Sequence, residues 1–522
     1  MSTRSEKDQF RSSPGDDGNS ESWLVGNSPQ KNVKIETGCN DETDLVDRIS
    51  HLPHALIVQI LSRLSIIDAF RTTILSKDWQ YFWTAIDNLV YDNEEFNCSN
   101  SSMVHKFISV TDNVLPLLSS SSIKKCSLNF VFRHNDEVSY FPVIDKWLEF
   151  VVNKKVEGLS LKISYDTDDI ENDQPYSLPK VFCSSSSIQK LKCQNCRILD
   201  DCVLNWTSLK ILTLEDLLIQ DKHISQIMSN SPQLESFSLY KFCGFNYLHM
   251  TSPNCKKLKL IDHYHPIGDW YSFEGDCCFE VVAPYVEHLT ISGDFDYTII
   301  ELKDLSSLDH AKLDLCSDEF DSLDEGILID LLVSIGCANE LILSSWFIKV
   351  ISTSMMDEEL KVSLPLLQCR WLTISSYVSK VSFLMLDKLL RSTPNLEKLT
   401  MFPDLEDFSI FQNAEKNTEA LELYDPLSFQ ENIFKDHLQN LKIVKVMPFC
   451  TSEATELDQF LKFLLEHAIN LEKMVIVPKH KGCNNCATNT SQLIKCLSLF
   501  PRASISTVIS LGPVTRNVFN TL

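Results

Sequence analysis

The sequence predicts an α/β chain in which a short three-helix module precedes a curved solenoid, with a parallel sheet inside and helices outside. Two observations carry that expectation. A dense apolar segment runs from Asp47 to Ile86, and a pattern apolar-x-x-apolar-x-apolar recurs thirteen times in order after it. One such unit cannot bury its own apolar side, whereas a stack of them shares one core.

Residues 1–42 are rich in Ser, Asp, Asn, Gly and Lys without apolar periodicity, and are expected to form a disordered tail. The helical module is expected over 43–90. Pro53 suits the start of a first helix, where a missing N–H costs nothing. On it Leu56 and Ile60 make one stripe, and Ile57, Leu61 and Leu64 an adjoining one. Asp68 is expected to cap a second helix carrying Ala69, Phe70, Thr73 and Ile74. Ser76 is expected to cap a third, with Trp79, Trp83 and Ile86 at i, i+4 and i+7. So short a module cannot cover this much apolar side chain alone. Either it packs on the rest of the chain, or it offers an apolar face to a partner.

A connecting region follows over 91–122, with a helix around Val104 to Leu118. The repeats begin at Ile123, Val156, Ile188, Leu209, Leu234, Cys255, Val286, Leu308, Ala338, Cys369, Leu396, Leu441 and Leu471, with spacings of 21 to 45 residues. Alternation at places 4 and 6 gives each a short strand with its apolar side inward. Helices are expected between strands at 223–229, 384–390 and 457–467. The solenoid proper is placed at 123–360, a continuation of it at 361–510, and a tail at 511–522.

A formal charge of −24 and a hydrophobic content of 44% argue against nucleic acid, an anionic membrane surface and wholesale disorder. No apolar leader or run of membrane-spanning length is present, so nucleus or cytoplasm is expected, with most of the eighteen cysteines reduced. Phosphate-cradling, nucleophile-elbow and H-E-x-x-H motifs are missing, and the chain has only 13 glycines. No catalytic residue, metal or cofactor is expected. Cys193/Cys196 and Cys483/Cys486 lie too far apart in sequence to complete one zinc site; the first pair falls on repeat-core places and the second in a polar loop. Acidic stretches at 166–173, 318–325 and 419–425 read as solvated insertions.

The early segment resembles a plant-type F-box. The carrying residues are Asp47-Arg48-Ile49-Ser50, Leu52-Pro53, Ile60-Leu61, Leu64, Asp68-Ala69, Arg71-Thr72, Leu75-Ser76-Lys77, Trp79 and Trp83. It departs from that pattern at His54, usually acidic, and Ser65, usually proline, which implies weaker capping. The resemblance implies docking on the Skp-type adaptor of an SCF (Skp–cullin–F-box) ubiquitin ligase, and through it on a cullin–RING core. Leu52, Pro53, Ile60, Leu61, Leu64, Leu75, Trp79 and Trp83 are the implied contacts. The repeats resemble leucine-rich repeats, with one departure. Their ninth place, often Asn, is here Cys196, Leu217, Phe242, Cys316, Trp346 or Tyr377, so apolar packing must replace an asparagine ladder. The last third resembles the FBD region of plant F-box proteins through Leu364 to Ser375, Ser392 to Met401, Leu461 to Pro478 and Phe500 to Ser506.

Kernel places 3 and 5 are expected to face the open inner surface. They hold Lys125, Lys190, Lys192, Lys257, Lys259, Lys312, Lys398, Lys445 and Lys473 against the single acid Glu340. His288, His310 and Trp371 share that face. Lysine stems cover strand surface well, which is one explanation; a basic surface for an acidic or phosphorylated partner is the other. The expected function is a non-catalytic, substrate-recognising ligase subunit holding a target protein on this face. The alternatives are an interaction protein, or a small-molecule receptor, that binds the adaptor without delivering a substrate.

Overall fold

The structure is a computed structural model that describes residues 49, 52–92, 101–132, 137–165, 175–263, 277–295, 298–316, 325–345, 347, 364–376, 386, 388–403, 438–449, 455–478 and 484–512. The chain divides into two units, 1–52 and 53–522. Only Ile49 and Leu52 of the first are described, and every described helix and strand belongs to the second. The expected tail at 1–42, nearly all of the acidic insertions and Cys483 lie outside the described residues.

The module begins with α1 (His54–Leu61) and α2 (Ile66–Arg71). Pro53 is the residue before α1, not its first. The cap of α2 comes from Ser65, whose Oγ accepts the Asp68 N–H at 3.2 Å. Serine at 65 therefore supplies capping where the resemblance implied less. Asp68 instead pairs with Arg71 at 2.9 Å. In place of a third α-helix there are single 3₁₀ turns at Thr72–Ile74, Asp78–Gln80 and Phe82–Ala85. This tighter winding turns both tryptophans inward. The Trp83 ring meets Phe70 edge-on at 5.3 Å and its Nε1 donates to the Gln80 carbonyl, while Trp79 meets Phe82 at 5.7 Å.

The module runs straight into the sheet. Asn88 Nδ2 donates to the Ser62 carbonyl at 2.6 Å, and the Ser119 and Lys124 N–H groups donate to the Thr84 and Asp87 carbonyls. Among the described residues fifteen strands form one parallel sheet in chain order: β1 (Asn88–Asp92), β2 (Lys125–Phe132), β3 (Gly158–Tyr165), β5 (Lys190–Gln194), β7 (Ile211–Leu218), β8 (Ser236–Cys243), β10 (Lys257–His263) and β12 (His288–Asp294), then β14 (His310–Cys316), β15 (Glu340–Leu343), β16 (Trp371–Ser376), β17 (Lys398–Pro403), β18 (Ile443–Phe449), β19 (Lys473–Pro478) and β20 (Val508–Leu511). All thirteen kernels become strands, each starting at its third place. Places 1, 4 and 6 are buried along the stack, as in Leu209, Leu212 and Leu214. The first and last strands flank the kernels and were not expected.

The return segments vary with repeat length. Helices α3 (Ser101–Val114), α4 (Glu137–Asn153), α5 (Lys180–Cys183), α6 (Asp221–Asn230), α7 (Glu325–Ile335), α8 (Thr455–His467) and α9 (Asn484–Ser498) lie between successive sheet strands. Those expected at 223–229 and 457–467 are α6 and α8, and residues 388–391 are helical. In the middle, β9 (Tyr247–His249), β11 (Cys277–Val282) and β13 (Thr298–Lys303) form a second, three-stranded parallel sheet instead. Two of these returns fall in repeats of only 21 and 22 residues, which leave room for an extended return and little for a helix. β4 (Tyr176–Ser177) and β6 (Cys196–Arg197) pair in the same way.

The strands end in a recurrent turn. Asn195, Asp216, Lys241, Asp262 and Gly293 occupy place 8 of five successive repeats, and all have positive φ, from 46° to 86°. Asn, Asp and Gly tolerate this left-handed region best. The residue after it dives back into the core, as Cys196, Leu217 and Phe242 do. Apolar packing therefore does hold these turns. Cys316 (as to its side chain), Trp346 and Tyr377 lie outside the described residues. Next to one such turn, Gly244 has φ +93°, and an added Cβ would stand 2.5 Å from the Ile219 carbonyl oxygen. Gly244→Ala is expected to destabilise the solenoid by about 2 kcal/mol or more, read as a lower urea midpoint.

His223 caps α6 from inside: its Nδ1 accepts the Gln220 N–H, and its ring is buried. Burial, helped by the charge of Lys222, lowers its pKa from the usual 6.5. Between the folded and unfolded values the unfolded chain binds the extra proton, so stability rises with pH there. The contribution is complete above about 6.5 and is lost as pH falls through the folded value. Urea titrations from about pH 7.5 down to 5 should show this acid loss, and His223→Gln should flatten it.

Candidate functional site: an apolar module face and a polar inner sheet face

The module's apolar side chains sort into two sets. Ile57, Leu61, Ile66, Ile67, Trp79 and Trp83 are buried inside the chain. Leu56, Ile60, Ile74, Leu75 and Tyr81 are left uncovered, Ile74 and Leu75 to 86% and 63%. The two stripes of α1 thus part: Ile57 and Leu61 face in, Leu56 and Ile60 face out. Of the contacts the F-box resemblance implied, Pro53, Ile60 and Leu75 are exposed and Leu64 is half-buried. Leu61, Trp79 and Trp83 form the module's own core and shape its surface without lining it. Leu52 lies in the first unit and is half-buried. Ile74, Leu56 and Tyr81 were not singled out as contacts. The 3₁₀ winding of Thr72–Ile74, invisible to a 3.6-residue reading, is what expels Ile74.

The inner face of the sheet carries the third and fifth kernel places, in register from strand to strand. Lys257 aligns with His288, His288 with His310, His310 with Glu340 and Glu340 with Trp371. The His288 and His310 rings stack at 4.3 Å. His310 stands between Asp309, at 3.0 Å, and Glu340, at 3.2 Å. Burial lowers the His288 pKa, with His310 and Lys257 adding to the effect.

Two of the nine lysines have a carboxylate partner among the described residues. Lys192 pairs with Glu215 at 3.0 Å, and Lys312, largely buried, lies 3.5 Å from Asp314. Both acids sit at place 7, which faces the same side as places 3 and 5. Lys190, Lys257 and Lys259 have no carboxylate within 4.0 Å among the described residues. The basic character expected of the whole face is therefore patchy.

Cys193 and Cys196 are fully buried, and burial pushes the Cys193 thiol up to about 12 and Cys196 also well above its usual value. Protonated thiols are poor metal ligands and poor nucleophiles, so packing accounts for this pair. Among the described residues no group of three His, Cys, Asp or Glu side chains is placed to hold a metal ion, and no helix is long and apolar enough to cross a membrane.

A helical module followed by a stacked parallel sheet of this register is the architecture of an F-box protein with a leucine-rich-repeat domain. Family comparison agrees: residues 49–91 match the F-box domain and 114–507 the At1g61320/AtMIF1 leucine-rich-repeat domain. The second match spans most of the chain, which belongs to that family. Arabidopsis thaliana relatives include the F-box/FBD/LRR-repeat protein At2g26030, 25% identical over 483 residues that cover 88% of this chain and 98% of the relative. The putative F-box/LRR-repeat protein At5g02930 is 26% identical over 387 residues, 71% of this chain and 74% of its own. The F-box/LRR-repeat protein At5g02910 is 27% identical over 367 residues, covering 69% and 73%. The F-box, repeat and FBD resemblances read from the residues are borne out.

Proposed function

We propose that this chain is a non-catalytic, target-binding subunit of an SCF-type ubiquitin ligase. Its F-box docks on a Skp-type adaptor and its inner sheet face holds a protein target. The observation that carries the reading is the exposed set Leu56, Ile60, Ile74, Leu75 and Tyr81 in a matched F-box. Burying one fully exposed side chain of this kind is worth about 1.5–3 kcal/mol, so covering this set offsets a large part of the cost of association. The hydrogen bonds that join the module to β1 support delivery of the target at a set distance from the ligase core, which is catalysis by proximity.

The test is capture from cells in which the proteasome is blocked. The wild-type chain should recover adaptor, cullin and a ubiquitylated target, and depleting the chain should raise that target's abundance. Recovery of adaptor with no protein whose level responds to depletion would contradict the delivery part of the proposal.

A further inference from the structure

On β17, β18 and β19 the inner face carries three lysines on adjacent strands without a carboxylate partner among the described residues. Lys398 aligns with Ile443, and Ile443 with Lys473; Lys445 lies between Thr400 and Val475. With strands about 4.8 Å apart and a rise of about 3.3 Å per residue, the Cα of Lys445 is about 8 Å from those of Lys398 and Lys473, which are themselves about 10 Å apart. The nearby carboxylate Glu397 is taken by Lys442, at 3.0 Å, and Arg370. Among the described residues none of the three lysines has an acidic partner within 4.0 Å. The reason is visible at place 7. Where β7 and β14 put Glu215 and Asp314 there, β17 to β19 put Phe402, Met447 and Val477, which pack together as an apolar cluster. Burial and the charge of Lys398 lower the Lys445 pKa. Lys398 also lies 5.5 Å over the exposed Trp371 ring.

Resting on the target-binding reading above, we propose that this patch holds an extended target segment with acidic residues at alternate positions. Such a segment repeats its same-side carboxylates every 6.7 Å or so, against steps of roughly 8 Å from Lys398 to Lys445 to Lys473, and the flexible lysine stems take up the difference between its straight row and the bent one of the lysines. Three separated point charges suit three separated carboxylates. A single phosphate would engage all three lysines only if their ammonium groups crowded together, and kernel places 3 and 5 carry no arginine to grip it with a planar fork.

The test uses the full chain and fluorescein-labelled peptides read by anisotropy. One peptide alternates Glu and Ser, a second has Gln for every Glu, and a third carries one phosphoserine in the Gln background. The Glu peptide is expected to bind at least about tenfold more tightly than the Gln peptide at low salt, and the margin should shrink as salt rises. The triple variant Lys398→Met, Lys445→Met, Lys473→Met, confirmed folded by its melting curve, should lose that margin. Lys190→Met with Lys257→Met should keep it. No margin, equal loss in both variants, or tighter binding of the phosphoserine peptide would each overturn the proposal. Adaptor capture by the same samples separates the two claims. If it persists while the peptides are not discriminated, only the acidic-segment assignment fails; if the wild type captures no adaptor, the ligase reading fails first.

Discussion

Substituting Ile60 and Leu75 together by aspartate is expected to abolish capture of a Skp-type adaptor while leaving the repeats folded. Both side chains are exposed, so neither change disturbs packing within the chain. Burying two unpaired carboxylates in an apolar interface costs at least about 4 kcal/mol, a loss of about a thousandfold in affinity. Leu61→Asp makes the contrast. Leu61 is 1% exposed beside Ile57, so its carboxylate would enter the module core and unfold it. Co-purification combined with a melting curve tells the two outcomes apart. Full capture by the Ile60/Leu75 variant would mean that the exposed apolar set is not the interface.

The second large effect concerns the solenoid. Phe242 is buried at the place where many leucine-rich repeats carry asparagine, and it sits at the centre of an aromatic group. Its ring lies 5.1 Å from His263, 5.6 Å from Phe279, 5.7 Å from Phe245 and 6.3 Å from Phe295. These residues join the turns after β8, β10 and β12 to the outer sheet. Phe242→Ala is expected to cost about 3–5 kcal/mol, and Phe242→Leu distinctly less. Phe242→Asn should be no better than alanine, because the neighbours supply rings where an asparagine ladder would supply carbonyls. Rescue by asparagine, read in urea unfolding, would overturn the claim that apolar packing holds these turns.

The repeat was legible because its signal is local. Places 1, 4 and 6 of the kernel are apolar for the same reason in every repeat, so each kernel marked its own strand without help from its neighbours. α4 was also there to be read: Tyr140, Ile144, Trp147, Leu148 and Val151 are all buried at helical spacing. So was the turn, in the Asn, Asp and Gly recurring at place 8. Other features depend on what lies across space. Periodicity shows that α1 is apolar on two stripes but not which one the chain itself covers. Places 3 and 5 alone make the inner face basic, whereas place 7 shares that face and shifts the balance. Glu215 and Asp314 each neutralise one lysine, and Phe402, Met447 and Val477 offer no carboxylate to the lysines of β17 to β19.

On the proposed function, the exposed apolar set of the F-box belongs under an adaptor. Mixing the purified chain with a purified Skp-type adaptor and following the mass of the eluted species by light scattering tests it most directly. A stoichiometric complex that survives dilution to about micromolar concentration, and is missing for the Ile60/Leu75 double aspartate variant, is the expected result. Two separate peaks for the wild-type chain with every Skp-type adaptor tried would contradict it.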